Sequence, residues 1–174
     1  MSTQQPGLLR RAAYRVFRWI PPAPSHAIIR ATSPTYSIGA IALIEWEGRV
    51  LALRQTHRTG MSLPGGLLER GEQPADAVVR EVREETGLRI EPGDICATVF
   101  ETQMRHIDVI YRVVCEHEPE VRPASEATAY DWLDPTDWDT CEDGEWDDPD
   151  EATVRILEAA RAARRTKQTG RLLD

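Results

Sequence analysis

The stretch from Pro74 to Thr86 constrains this chain most, because it reads as one amphipathic helix. Ala75, Val78, Val79, Val82 and Thr86 recur at the three- and four-residue spacing that lines one face of a helix. Its ends are marked as well. Pro74 suits the first turn, Asp76 favours the positive N-terminal end, and Gly87 can take the left-handed conformation that closes a helix. Against this background Glu81, Glu84 and Glu85 fall within one narrow sector, since positions three and four apart are neighbours on a helix surface. Three carboxylates stacked there repel one another and cost stability unless a divalent ion neutralises them. The spacing therefore predicts a site for a hard cation, with the carboxylates pointing away from the core. Just upstream, Leu63-Pro64-Gly65-Gly66 lets a phosphate or metal approach the backbone where side chains would block it. A surface helix with a solvated acidic face is the bland alternative, and the glycines and the spacing together weigh against it.

The segment from Gly66 to Leu88 resembles the signature of the Nudix hydrolases, G-x5-E-x7-R-E-U-x-E-E-x-G-U with U apolar. Gly66, Glu72, Arg80, Glu81, Val82, Glu84, Glu85, Gly87 and Leu88 meet every specified position. At background residue frequencies such a match arises by chance with a probability on the order of 10⁻⁶. A looser similarity extends over roughly residues 35 to 165. The resemblance implies hydrolysis of a phosphoanhydride, using Mg²⁺ or Mn²⁺ and an attacking water. It implies Glu81, Glu84 and Glu85 as metal ligands, with a backbone carbonyl at Gly65 or Gly66 as an additional one. Arg80 and Glu72 would pair and orient the glutamates. Relatives often take a further carboxylate from outside the signature as ligand or general base; Glu126 is the candidate here, with Glu118 and Glu120 competing. The base that deprotonates water stays open between Glu81, Glu126 and a metal-bound hydroxide.

The chain has 174 residues, enough for one domain with a core, and we divide it into an N-terminal segment, 1–30, and a catalytic domain, 31–174. Apolar runs from Ser37 to Glu45 and from Arg49 to Gln55 flank Glu47-Gly48 and predict a hairpin, which brings Arg54 and Arg58 near the site. Ile95 to Thr102, Ile107 to Cys115 and Tyr130 to Leu133 read as further strands. A last helix is expected over Pro149 to Arg165, its stripe formed by Ala152, Ile156, Ala159, Ala160 and Ala163. The expected fold is an α/β/α sandwich with a mixed β-sheet, as the resemblance also implies.

The formal charge of −8 argues against a nucleic-acid surface, because such binding rests largely on basic phosphate contacts. Asp131 to Glu151 is dense in Asp and Glu and holds no Lys or Arg, which reads as a solvated loop. Cys96, Cys115 and Cys141 lack metal-type spacing and read as reduced thiols of a cytoplasmic protein. Residues 8–20 form a basic amphipathic pattern ended by Pro21-Pro22, suited to docking on protein, including a second copy in a homodimer, more than to an anionic membrane. His57 and His106 are each more commonly packing or surface residues than substrate contacts, and Trp46, Trp138 and Trp146 read as structural. The expected substrate is a small nucleoside diphosphate derivative of the ADP-ribose or nucleotide-sugar type. Relatives that cleave ADP-ribose often carry a proline past the signature, where Gln103, Met104 and Arg105 stand here. A nucleoside triphosphate pyrophosphohydrolase and a non-catalytic ligand sensor are the alternatives, and the intact glutamate set speaks against the sensor.

Overall fold

The predicted hairpin forms. Strand β1 (Ser37–Trp46) turns into β2 (Arg49–Gln55), with Trp46 paired to Arg49 and positive φ at both turn residues, 47° at Glu47 and 80° at Gly48. Positive φ at both central positions marks the turn whose twist matches the flanking strands. These and the following elements come from a computed structural model, which describes residues 33–134, 149–162 and 169–173. The amphipathic pattern at 8–20, Trp138, Trp146 and Cys141 lie outside the described residues.

After the hairpin come β3 (Met61–Ser62), β4 (Gly65–Leu67), α1 (Pro74–Thr86), β5 (Arg89–Gly93), β6 (Ile95–Glu101) and β7 (His106–Val114). β8 (Ala127–Leu133), α2 (Glu151–Ala162) and β9 (Thr169–Leu173) complete the described elements. The strands make one sheet with the main path β3-β2-β1-β7-β9-β5, to which β8 adds at β2, β4 at β1 and β6 at β7. The β1–β7 and β7–β9 pairs are parallel and the other pairs antiparallel, so the sheet is mixed.

Both faces of its centre are covered. Along β1, Ala40, Ala42 and Ile44 pack with Ala77, Val78 and Val82 of α1, while Ile41 and Leu43 pack with Ile156 and Leu157 of α2. Alternation along a strand sends neighbours to opposite faces, so two separate cores on one strand mean a helix on each side. The fold is the expected α/β/α sandwich. On β7, Val109, Tyr111 and Val113 enter the first core and Ile110 the second, which explains why that segment is apolar at both parities.

Several local expectations need correction. The buried face of α1 is Ala77, Val78, Val82, Glu85 and Thr86, with Ala75 and Val79 at its flank. Glu85 does not point away from the core: it is only 4 % exposed. α2 begins at Glu151 because Asp150 caps it, Oδ1 accepting from the Thr153 amide at 2.7 Å, while Pro149 bridges to Met61. Its buried residues are Thr153, Ile156 and Leu157 rather than an alanine stripe, and the positions past Ala162 fall outside the described residues. β8 starts at Ala127, three residues before Tyr130. Strands β3, β4, β5 and β9 were not expected; they are short and carry no alternation to read. Cys96 and Cys115 are free thiols, and among the described residues no helix is long and apolar enough to cross a membrane.

Candidate active site

Strand β4 seats two glycines beneath α1, and each is required for a different reason. At Gly65, φ is 146°, and a Cβ would stand 2.3 Å from the Ala40 carbonyl oxygen. At Gly66 a Cβ would meet Oε1 of Glu81 at 2.5 Å. The bare backbone thus lets the glutamates lie directly on the strand. Glu85 is held from two sides: the Gly65 N–H donates to Oε2 at 2.9 Å, and Gln55 Nε2 donates to Oε1. Gln55 is itself aimed by Ser62, whose hydroxyl donates to its Oε1 at 3.0 Å. The sequence reading did not single out Gln55. The available signal was a polar residue at the inward parity of an apolar strand, where burial requires a partner.

Arg80 sits between two carboxylates. Nε and Nη2 each donate to Glu72 at 2.9 Å, Nη1 donates to Glu81 Oε1 at 2.7 Å, and Nη2 also reaches the Leu67 carbonyl at 3.2 Å. The fork matches Glu72 bidentately, which fixes the guanidinium and hence Glu81. These bonds, with the Glu69 amide, hold Glu72 down at about 2 and raise Arg80 above its ordinary value. Glu84 stays half open, its side chain 47 % exposed and 3.6 Å from Arg80 Nη1.

Glu126 arrives through the end of α1. The last carbonyls of a helix lack intrahelical donors, and here those of Glu85 and Thr86 accept from the amides of Ala124 and Arg122 at 2.9 and 2.8 Å. Ser125, at φ 57°, then turns the chain, the Glu126 carbonyl takes the Thr56 amide, and the Glu126 carboxylate pairs with His57 Nδ1 at 3.0 Å. Together with Gln55, Arg58, Gly65, Gly66 and Arg80, Glu81, Glu84, Glu85 and Glu126 line one cavity of about 470 Å³. Glu118 does not line it, and Glu120 is taken up in an exposed ion pair with Arg122.

Burial pushes Glu85 up to about 7, and the charges of Glu81 and Glu126 add to the rise against the two hydrogen bonds that oppose it. Because this folded value exceeds the unfolded 4.5, the folded chain binds the proton more tightly. Its contribution to stability is present in full below about pH 4.5 and is lost as pH rises through about 7. In chelator, stability is therefore expected to fall by about 3 kcal/mol between pH 4.5 and 8 from this group, since a tenfold change in proton affinity is worth ~1.4 kcal/mol. Millimolar Mg²⁺ should restore much of it at pH 8. Thermal melts with EDTA or Mg²⁺ at the two pH values check this, and a flat profile in EDTA would contradict it.

A second cavity, of about 540 Å³, adjoins the first and shares Arg58, Gly65, Gly66 and Leu67 with it. Its walls come from β1, β6, β7, the turn between β6 and β7, and α2, including Ile41, Val99, Met104, His106, Asp108 and Ile156. Arg58 stands between the two, donating to Asp150 Oδ2 at 3.0 Å. Arg54 is not brought to the site. It lines neither cavity, because strand alternation turns Gln55 toward α1 and Arg54 the other way. His57 and His106 each line a cavity, His57 the carboxylate one and His106 the larger one.

The oxygen-only donor set of four glutamates suits a hard divalent cation rather than a softer one. Among the described residues no three side chains converge into a closed cage, since Arg80 holds Glu81 and the Gln55–Gly65 pair holds Glu85. Glu85 is raised first by burial and then by the charges of Glu81 and Glu126, and a cation among these carboxylates would offset both.

A family model described as the NUDIX domain matches residues 34–165. The chain belongs to the Nudix hydrolases. A "MutT-like protein" of Streptomyces ambofaciens is 37 % identical over 108 residues, covering 60 % of this chain and 69 % of that one. The MutT protein of Methanosarcina mazei Go1 superposes with a TM-score of 0.57 at 30 % identity, covering 72 % of this chain and 91 % of its own. A shorter match of 60 residues at 38 % identity joins this Nudix chain to YjhB of Bacillus subtilis, provisionally named an ADP-ribose pyrophosphatase; it covers 34 % of this chain and 29 % of that protein. As a Nudix pyrophosphohydrolase the protein acts on small nucleotides, and the family generally uses divalent metal ions.

Proposed function

We propose that this Nudix hydrolase cleaves the phosphoanhydride of a nucleoside diphosphate carrying a second moiety, such as ADP-ribose or a nucleotide sugar. The observation that carries the reading is the pairing of cavities: a carboxylate-lined one for a metal-bound diphosphate opens beside a larger, mostly apolar one that can take an appended group. The name of the Bacillus subtilis relative supports the same substrate class.

Glu81, Glu84, Glu85 and Glu126 would hold Mg²⁺ or Mn²⁺. Bound there, the ion supplies charge neutralisation on the phosphoryl oxygens and a lowered pKa for water. The chain's own groups do the rest. Arg80, locked by Glu72, keeps Glu81 turned to the cavity, and the Gly65 N–H and Gln55 keep Glu85 in register with it. Arg58 is the cation placed to trade Asp150 for a phosphate, adding positive charge where the diphosphate sits. Glu126, hydrogen-bonded to His57, is open enough to take a proton from water, a role it shares as candidate with Glu81.

A panel of ADP-ribose, nucleotide sugars, dinucleoside polyphosphates and nucleoside triphosphates, assayed with Mg²⁺ and with Mn²⁺ and followed by product identification, tests the reading. The expected products are a nucleoside monophosphate and a phosphorylated partner. Triphosphates converted to monophosphate and pyrophosphate with the conjugates untouched, or efficient cleavage of capped RNA, would overturn it.

A further inference from the structure

We propose that Asp108 is a specificity-determining residue: in the larger cavity it accepts a hydrogen bond from a neutral donor group of the substrate, with His106 and Ser37 as the positioning residues that aim it. The inference rests on the reading of that cavity as the place of the group attached to the phosphates. The donor is either an amino group of the base or a hydroxyl of the sugar, and both have the same chemistry at the carboxylate.

Three carboxylates line this cavity among the described residues, and two are already committed. Glu101 gives Oε2 to Arg155 at 2.9 Å and Oε1 to the Gln103 amide at 3.3 Å. Asp150 gives Oδ1 to the start of α2 and Oδ2 to Arg58. Asp108 takes only His106, whose Nε2 lies 2.9 Å from Oδ1; the second oxygen has no donor among the described residues. Its side chain is 14 % exposed, and an acceptor partly screened from water in this way gains more from a ligand donor than one on the open surface would.

The surroundings aim that oxygen. A carboxylate only accepts, so Nε2 of His106 carries the hydrogen toward Oδ1, while Nδ1 lies 2.8 Å from the Ser37 hydroxyl oxygen on the other side of the ring. Held at both nitrogens, the ring is locked and Asp108 with it. Gly39 faces Asp108 in the β1–β7 register, and a Cβ there would stand 2.5 Å from Oδ1. The glycine gives the carboxylate room to lie across β1. Asp108 is two strands from Gly66, about 10 Å at ordinary strand spacing, so what it meets belongs to the nucleoside or sugar and not to the phosphates beside the glutamates. A further phosphate would be repelled by Asp108, and a carbonyl would set lone pair against lone pair.

The test uses the full chain with Mg²⁺ and three substrates: ADP-ribose, its inosine analogue with a carbonyl in place of the base amine, and its 2′-deoxyadenosine analogue. Calorimetric binding of AMP, IMP and dAMP without divalent metal runs in parallel. Asp108→Asn is expected to raise KM for ADP-ribose about 10- to 100-fold with a much smaller change in kcat, and to weaken AMP by a similar factor. Gly39→Ala, which displaces the same carboxylate, should reproduce the loss. If the amine is the donor, the wild type disfavours the inosine compounds and Asp108→Asn removes or inverts that preference. If the sugar hydroxyl is the donor, the discrimination lost is the one against the deoxy compounds. His106→Phe should show a smaller loss of the same kind, and an unchanged KM there removes His106 and Ser37 from the proposal. Folded Asp108→Asn and Gly39→Ala proteins with KM and Kd within about threefold of wild type on every ligand would overturn it. Should the wild type hydrolyse none of the substrates, the proposed function fails, while the calorimetry still decides Asp108.

Discussion

Glu85→Gln is expected to lower divalent-dependent turnover about 10³-fold, equivalent to about 4 kcal/mol of transition-state stabilisation, in a chain that remains folded. The size follows from its position. Glu85 is buried, shares its cavity with Glu81, Glu84 and Glu126, and is held by two donors that set where any ion beside it must sit. The amide keeps the shape but loses the charge, and its N–H₂ faces a donor that formerly found a carboxylate oxygen. Glu84→Gln should cost a similar factor by the loss of a ligand, even though Glu84 is half exposed and costs little to alter structurally. Glu126→Gln should cost less, about 10- to 10³-fold, because that carboxylate lies at the open rim and pairs with His57. Steady-state rates across a Mg²⁺ titration, alongside circular dichroism, read these effects. Rates within a few-fold of wild type for Glu85→Gln on a validated substrate would sink the assignment of the cavity as a metal site.

Gly65→Ala and Gly66→Ala should separate stability from activity at adjacent positions. The new methyl at Gly65 meets backbone, 2.3 Å from the Ala40 carbonyl oxygen and 2.8 Å from Ile41 Cα, at a φ that side chains rarely adopt. Neither obstacle can swing aside, and the β1–β4 pairing must open; a loss of about 4 kcal/mol is expected, read as a lowered urea midpoint. At Gly66 the obstacle is the carboxylate end of Glu81, which can rotate. Stability should then fall by about 1 kcal/mol while turnover falls at least tenfold, because Glu81 is driven off its place beside Arg80. Equal losses of stability for the two variants would mean that Gly66 serves the sheet and not the glutamate.

What could be read without coordinates was local and periodic. The bounds of α1, the Glu47-Gly48 hairpin with its flanking strands and the glutamate cluster all depend on residues within a few positions of one another, where helix pitch, strand pattern and turn chemistry act directly on the chain order. Even there the environment of Glu85 was misread, because helical spacing reports which side chains share a face and not what later packs over it. The loop 122–126 covers that face by feeding its amides to the carbonyls left open at the end of α1, a contact between segments some forty positions apart in sequence. Gln55 as the holder of Glu85 and the chain Ser37–His106–Asp108 have the same origin. The first joins β2 to α1 and the second joins β1 to β7, where parallel pairing aligns Ser37 with His106 across 69 positions of chain. Chain order alone supplies the chemistry available, carboxylates of the kind that suit a hard cation, set on a helix between apolar strands. Which of those groups are buried, which are locked, and which oxygen stays open to a ligand follow from the folded packing, since burial and hydrogen-bond partners are supplied by residues that the chain order keeps far apart.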